Sequence, residues 1–225
     1  MVSYIVEIIS FSVFFNQSFF FFSSSPKGKW QGLEGQTTAC KLCPVGTFIN
    51  SEGQQSECTS CPKGQYQPGE GKTECIDCLA GFFSDSKKQT ECQSCNKGRY
   101  RATKGADAAD KCLECAKGQH NNAKGQLTCT DCLKGTVTTK PAQLTCEVCA
   151  IAKYQQAAGQ SDCVVCPIGR FNADADGNPE LHDALDDCVK CVTGKIQDTV
   201  GQSICNDCPK GRYIDEEMKA ECKEW

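Results

Sequence analysis

The sequence predicts a small disulfide-rich fold, an elongated tandem array of short β-hairpin modules with little helix. Three observations predict it. The 225 residues include 21 Cys, all between Cys40 and Cys222, a density that marks a disulfide scaffold rather than an ordinary domain. The cysteines fall into C-x-x-C pairs that mostly recur every 17 residues, and such self-similarity is the signature of a repeat architecture. Without these cysteines and a Phe-rich leader, the chain has too few Leu, Ile, Val and Phe for one large core. Cross-links or metals must take its place.

Residues 1–25 are apolar and contain no Cys. They read as a signal peptide or signal anchor, which would place the remainder in an oxidising compartment. Several details run against this. No Lys or Arg precedes the apolar run, Glu7 interrupts it, and Pro26 follows the serines; Lys27 and Lys29 also lie on the wrong flank for an anchor. A mis-assigned start is the alternative. The sequon at Asn16 lies in this leader. Residues 26–39 read as a linker, 40–222 as about ten repeats, and 223–225 as a truncated tail. Cys40 has no upstream partner and Trp225 stands where a further Cys would complete a pair, so a longer array is expected.

Within the repeats the text between pairs is nearly constant. Gly follows the second Cys of a pair by three residues, at Gly46, Gly64, Gly81 and onward to Gly211, with Ala152 the exception. Two residues later comes an aromatic such as Phe48, Tyr66 or Tyr154, replaced by His120, Val137 and Ile196 in three units. A second Gly follows in most units, at Gly53, Gly71 or Gly105 for example. The first Gly suits a backbone turn that other residues resist. The aromatic supplies most of the apolar area a unit can bury, and the second Gly marks the tip of a hairpin. Two strands of three to five residues around such a tip are marginal alone in water, so a bridge at the open end is needed. Units that contact only their neighbours would form a quasi-one-dimensional rod, bent slightly where the longer units fall.

The simplest pairing joins the second Cys of each pair to the first of the next. It gives Cys43–Cys58, Cys61–Cys75, Cys78–Cys92, Cys95–Cys112, Cys115–Cys129, Cys132–Cys146, Cys149–Cys163, Cys166–Cys188, Cys191–Cys205 and Cys208–Cys222, and leaves Cys40 unpaired. Bridges inside each C-x-x-C would suit redox chemistry, and an interlaced register beginning Cys40–Cys58 and Cys43–Cys61 would leave Cys222 single. Sequence alone leaves these open. The simple register is preferred because the repeat text begins after one Cys and ends at the next.

The segments Cys61-Pro-Lys-Gly-Gln-Tyr66 and Cys208-Pro-Lys-Gly-Arg-Tyr213 resemble the cysteine-rich repeat of ephrin-type receptors, and the first loop module of tumour-necrosis-factor-receptor cysteine-rich domains. The resemblance covers residues 40–222. It implies the simple register, and an extracellular or cell-surface, non-enzymatic array acting as a stalk or spacer or as an adhesive, ligand-binding ectodomain. No kinase or ephrin-binding domain accompanies the repeats and no membrane span is read after them, so a receptor role is not carried over.

Other chemistries compete for the same residues. C-x2-C-x13-C-x2-C is a zinc spacing, and an intracellular array of four-cysteine zinc modules serving as an interaction scaffold is the alternative function. No fours stand out, however, because the interval is the same on both sides of most pairs. Asn172, Asp174, Asp176 and Asp183 fit a calcium-loop template around Gly177, against the plainer reading of a solvated acidic loop. His120 replaces an aromatic, so packing is expected of it, and His182 has no second His nearby. A net charge of -4 lacks the basic field that nucleic acid requires. No cofactor or catalytic group is expected, and the partner is an unnamed protein or surface ligand, with membrane attachment in a longer parent protein.

Overall fold

In a computed structural model the described residues are 25–32, 39–175 and 177–225. Residues 1–24 of the leader with its sequon, residues 33–38 of the linker and Asp176 lie outside them. The described residues form eleven two-stranded antiparallel sheets, each a separate hairpin. The only helical elements among them are three single 3₁₀ turns, Ala109–Lys111, Pro179–Leu181 and Leu185–Asp187. Units are named below by the residue that opens them.

Each strand is two residues long, shorter than the three to five expected. In the Cys61 unit Gln65 and Tyr66 pair with Asp77 and Ile76, which lie inside the next C-x-x-C. Two residues suffice because the hairpin is not held by its own ladder. The bridge Cys61–Cys75 closes its open end, and backbone bonds from the next unit hold the rest.

Those bonds form three rungs at a regular joint. The N–H of the first Gly donates to the residue after the aromatic of the next unit, as from Gly46 to Gln67 O (2.7 Å) and from Gly64 to Ser84 O (2.9 Å). The residue after the aromatic donates one place beyond the next tip, as from Gln67 to Gln89 O (3.0 Å). The next tip donates back to the opening Cys, as from Lys88 to Cys61 O (2.9 Å). These bonds give main-chain polar groups partners in the neighbouring unit that a broad sheet would otherwise supply.

Contacts extend beyond the neighbour, contrary to the expectation of a strictly nearest-neighbour stack. The first Gly of one unit lies against the tip carbonyl two units ahead: a Cβ on Gly64 would sit 2.6 Å from Gly105 O, and Gly28, Gly81 and Gly118 stand in the same relation to Gly71, Gly125 and Gly159. These glycines combine a left-handed φ, +81° at Gly64, with the absence of room for a side chain. Both constraints select Gly.

The segment 26–39, read as a linker, contributes a paired strand within its described residues 26–32. Lys29–Trp30 pairs with Lys41–Leu42, Gly28 has φ +78°, and Cys43 N–H donates to Gly28 O as Cys61 N–H does to Gly46 O. Pro26-Lys27-Gly28-Lys29-Trp30 is the repeat text with its opening Cys replaced by Ser25, a change that hides the unit from any reading keyed on cysteine.

Candidate functional site

The cysteines dominate what the array can do chemically. The ten bridges are Cys43–Cys58, Cys61–Cys75, Cys78–Cys92, Cys95–Cys112, Cys115–Cys129, Cys132–Cys146, Cys149–Cys163, Cys166–Cys188, Cys191–Cys205 and Cys208–Cys222. They run from the second Cys of one pair to the first of the next. Cys40 is the free thiol among the described residues, half-buried. Twenty sulfurs in bridges leave no four thiolates for a zinc site, which removes the structural basis of the intracellular zinc-module alternative.

Ser25 explains why Cys40 is single. It is 3% exposed, its carbonyl accepts from the tip Gly53 at 2.8 Å as Cys43 O accepts from Gly71, and its hydroxyl donates to Gln54 O at 3.2 Å. It occupies the place of Cys40's partner with an oxygen where the others carry sulfur.

The most buried column of the repeat is not the aromatic one. Tyr66, Tyr100 and Phe171 are half-buried, while the next residue is buried throughout much of the array: Gln67, Ser84, Asn121, Thr138, Gln155, Asn172 and Gln197. All but Thr138, whose hydroxyl donates to Gln119 O of the preceding unit, fold back on their own hairpin. The oxygens of Gln67, Asn121 and Gln155 accept from the N–H two residues on, and Gln67 Nε2 and Gln155 Nε2 donate to Glu74 O and Asp162 O, both at 2.7 Å. Each of these two glutamines thereby ties the outgoing strand to the returning one. Sequence reasoning missed this column because it sought apolar residues; the recurring Gln, Asn, Ser and Thr at one offset was the available signal.

Of the calcium candidates, Asn172, Asp174 and Asp183 lie among the described residues. Asn172 Oδ1 accepts from Asp174 N–H at 2.8 Å, and its amide donates to Leu181 O at 2.8 Å. Asp174 Oδ2 lies 3.0 Å from His182 Nε2, and Asp183 lines a groove with His120, Leu133 and Glu180. Among the described residues no group of three or more His, Cys, Asp or Glu is placed to hold a metal ion.

His182 has a role the sequence did not suggest. It is fully buried, with Nδ1 2.6 Å from Lys153 O in the preceding unit. His120 is half-buried, its Nδ1 3.3 Å from Leu144 O.

The closing unit carries a small exposed charge cluster. Lys223 Nζ reaches Asp215 at 2.7 Å and Glu216 at 3.1 Å, and Lys219 reaches Glu216 at 2.8 Å. The hydrogen bond from Lys223 holds the Asp215 carboxyl below its usual range, bonds from Lys219 and then Lys223 do the same for Glu216, and the two carboxylates, Asp215 foremost, push the Lys223 ammonium up. All three are open to solvent and screened by salt, so they form no poised acid–base pair.

Elsewhere the surface is apolar in patches. Phe171, Val189, Val192 and Ile204 line a shallow groove between the Cys166 and Cys191 units, and Leu133 is 75% exposed. No helix among the described residues is long and apolar enough to cross a membrane.

A model of the family described as tyrosine-protein kinase ephrin type A/B receptor-like matches residues 28–67, 46–88 and 105–144. These stretches are ephrin-receptor-like cysteine-rich repeats, in tandem, and the first begins inside the Ser25 unit. No curated protein matches the chain.

Proposed function

We propose that the array is part of an extracellular or cell-surface protein and acts there as a non-enzymatic stalk or spacer. The observation that carries this is the ladder. Units are tied to one another by backbone bonds that use no particular side chain, so a unit can be repeated with varied surface residues and still fix the distance between its ends. The ten bridges support an oxidising compartment, and the ephrin-receptor-like repeats support an ectodomain setting. A ligand-binding ectodomain is the second reading, favoured by the groove at Phe171, Val189, Val192 and Ile204.

Alkylation and mass spectrometry on protein isolated from its native source without reductant test the compartment. One reactive thiol, at Cys40, is expected. Twenty-one reactive thiols, shielded until a chelator is added, would overturn the extracellular assignment and restore an intracellular zinc array.

A further inference from the structure

The Cys149 unit is held differently from the others on both sides. At the joint before it, Gly135 N–H donates to Gln155 O and Gly159 N–H to Cys132 O, each at 2.8 Å. The middle rung, which Thr138 N–H would supply, is missing among the described residues. At the joint after it, Ala152 N–H donates to Asn172 O at 3.1 Å and Gln155 N–H to His182 O at 2.7 Å. The tip place there belongs to Pro179, whose carbonyl lies against Gly135 as other tips lie against their glycines. Proline has no N–H, so it cannot make the rung to Cys149 O. The unit also carries Ala152 where its fellows have Gly, at φ +63°, a strained conformation for a residue with a Cβ.

A side chain spans the second joint instead. The His182 ring donates from Nδ1 to Lys153 O, and its Nε2 faces the Asp174 carboxylate. Asp174 is seated in turn by its N–H on Asn172 Oδ1. Side chains cross other joints too, Asn121 to Arg99 O at 2.8 Å and Thr138 to Gln119 O at 3.2 Å, but there they add to three complete backbone rungs. At the Cys149–Cys166 joint the side chain stands in for one.

We propose that the Cys149 unit is the hinge of the array, with residues 43–146 and 166–222 moving about it as two stiffer bodies, and that His182 is the clasp that holds the hinge closed. Backbone rungs buried between units open only when a unit detaches, whereas a joint with fewer of them opens at lower cost. The behaviour follows from the bonds at the joint and does not depend on what the array binds or spaces.

Amide hydrogen exchange on the full chain, with all ten bridges verified and rates corrected for intrinsic exchange, tests this. In the unaltered protein Ala152 and Gln155 should exchange at least tenfold faster than Gly64 and Gln67, which hold the same places at a regular joint. His182→Ala should accelerate Ala152 and Gln155 at least tenfold further and leave Gly64 and Gln67 unchanged; His182→Gln, which keeps a donor, should fall between. Ala152→Gly should slow exchange at Gln155. Equal protection at the two joints in the unaltered protein would overturn the hinge. A His182→Ala effect that is absent, or spread evenly over the array, would overturn the clasp. If His182→Ala fails to form Cys166–Cys188, exchange in the unaltered protein and in Ala152→Gly decides the hinge, and His182→Gln decides the clasp.

Discussion

The Cys95 and Cys166 units both carry extra residues, their bridges closing 17 and 22 residues where the regular bridge closes 14. They share one device. Each has a single 3₁₀ turn directly before its closing Cys, Ala109–Lys111 or Leu185–Asp187, and an Arg before the aromatic that donates to the carbonyl of that Cys: Arg99 to Cys112 O at 3.0 Å and Arg170 to Cys188 O at 2.9 Å. They differ in where the extra residues fall. In the Cys95 unit these follow the tip, and Gly105 still donates to Cys78 O. In the Cys166 unit they lie on both sides of Pro179. Both keep an apolar cluster on the bridge, Phe83, Cys95, Ala106 and Cys112 in the first and Tyr154, Cys166 and Cys188 in the second. The second surrounds its insertion with His182, Asn172 and Asp174. Length is therefore not what disturbs the array, since loop closure grows costly only slowly with length. What matters is whether an insertion displaces the tip that must reach back to the preceding unit.

That contrast can be broken most forcefully at the bridges. Replacing Cys95 and Cys112 with Ser, or Cys166 and Cys188, should cost about 3 kcal/mol in either case. The cost is measured by denaturant unfolding of chains with the remaining bridges mapped. A loss more than twice as large for one unit would mean that the covalent link, rather than the position of the insertion, distinguishes them.

The Ser25 unit sharpens the comparison, because it has the ladder without the bridge. Ser25→Cys should form a disulfide with Cys40, reduce the free thiols from one to none, and stabilise the hairpin by about 2 kcal/mol. A persistent thiol at position 40, read by alkylation, would show that the two places are not aligned as they are in the bridged units.

The two arginines provide the finest test. Arg170 is 8% exposed and donates to Cys188 O and, at 3.3 Å, to Leu185 O, so Arg170→Ala should cost about 2 kcal/mol through carbonyls left unsatisfied. Arg99 is half-exposed and shares its guanidinium with Glu114. Arg99→Ala should cost under about 1 kcal/mol. Equal losses in thermal unfolding would deny that burial of the guanidinium separates the two units.

The repeat, its hairpin form and the offsets of Gly and aromatic were legible from the sequence because each reflects a local need: a left-handed turn, a tip, a sulfur at each open end. The Ser25 unit was equally written there, as Pro26-Lys27-Gly28-Lys29-Trp30, but missing its Cys it reads as a linker. The polar column from Gln67 to Gln197 was visible as a recurring residue class whose burial could not be guessed, since it depends on backbone partners that the fold supplies to both ends of the Gln67 and Gln155 amides but not to Gln197 Nε2.

The sequence by itself determined the unit, the spacing of its sulfurs and the all-hairpin class, because a chain this poor in large apolar residues can be held only by frequent covalent closure. Tertiary structure alone decided that each first Gly from Gly28 to Gly169 faces a tip two units ahead, that Pro179 takes the tip place in the Cys166 unit, and that His182 reaches Lys153 O across a joint. These contacts join residues far apart in the chain, and they are set by how one unit stacks on the next. A repeat pattern gives the parts of such a stack, but their angle and reach depend on backbone bonds between units, which no residue type announces.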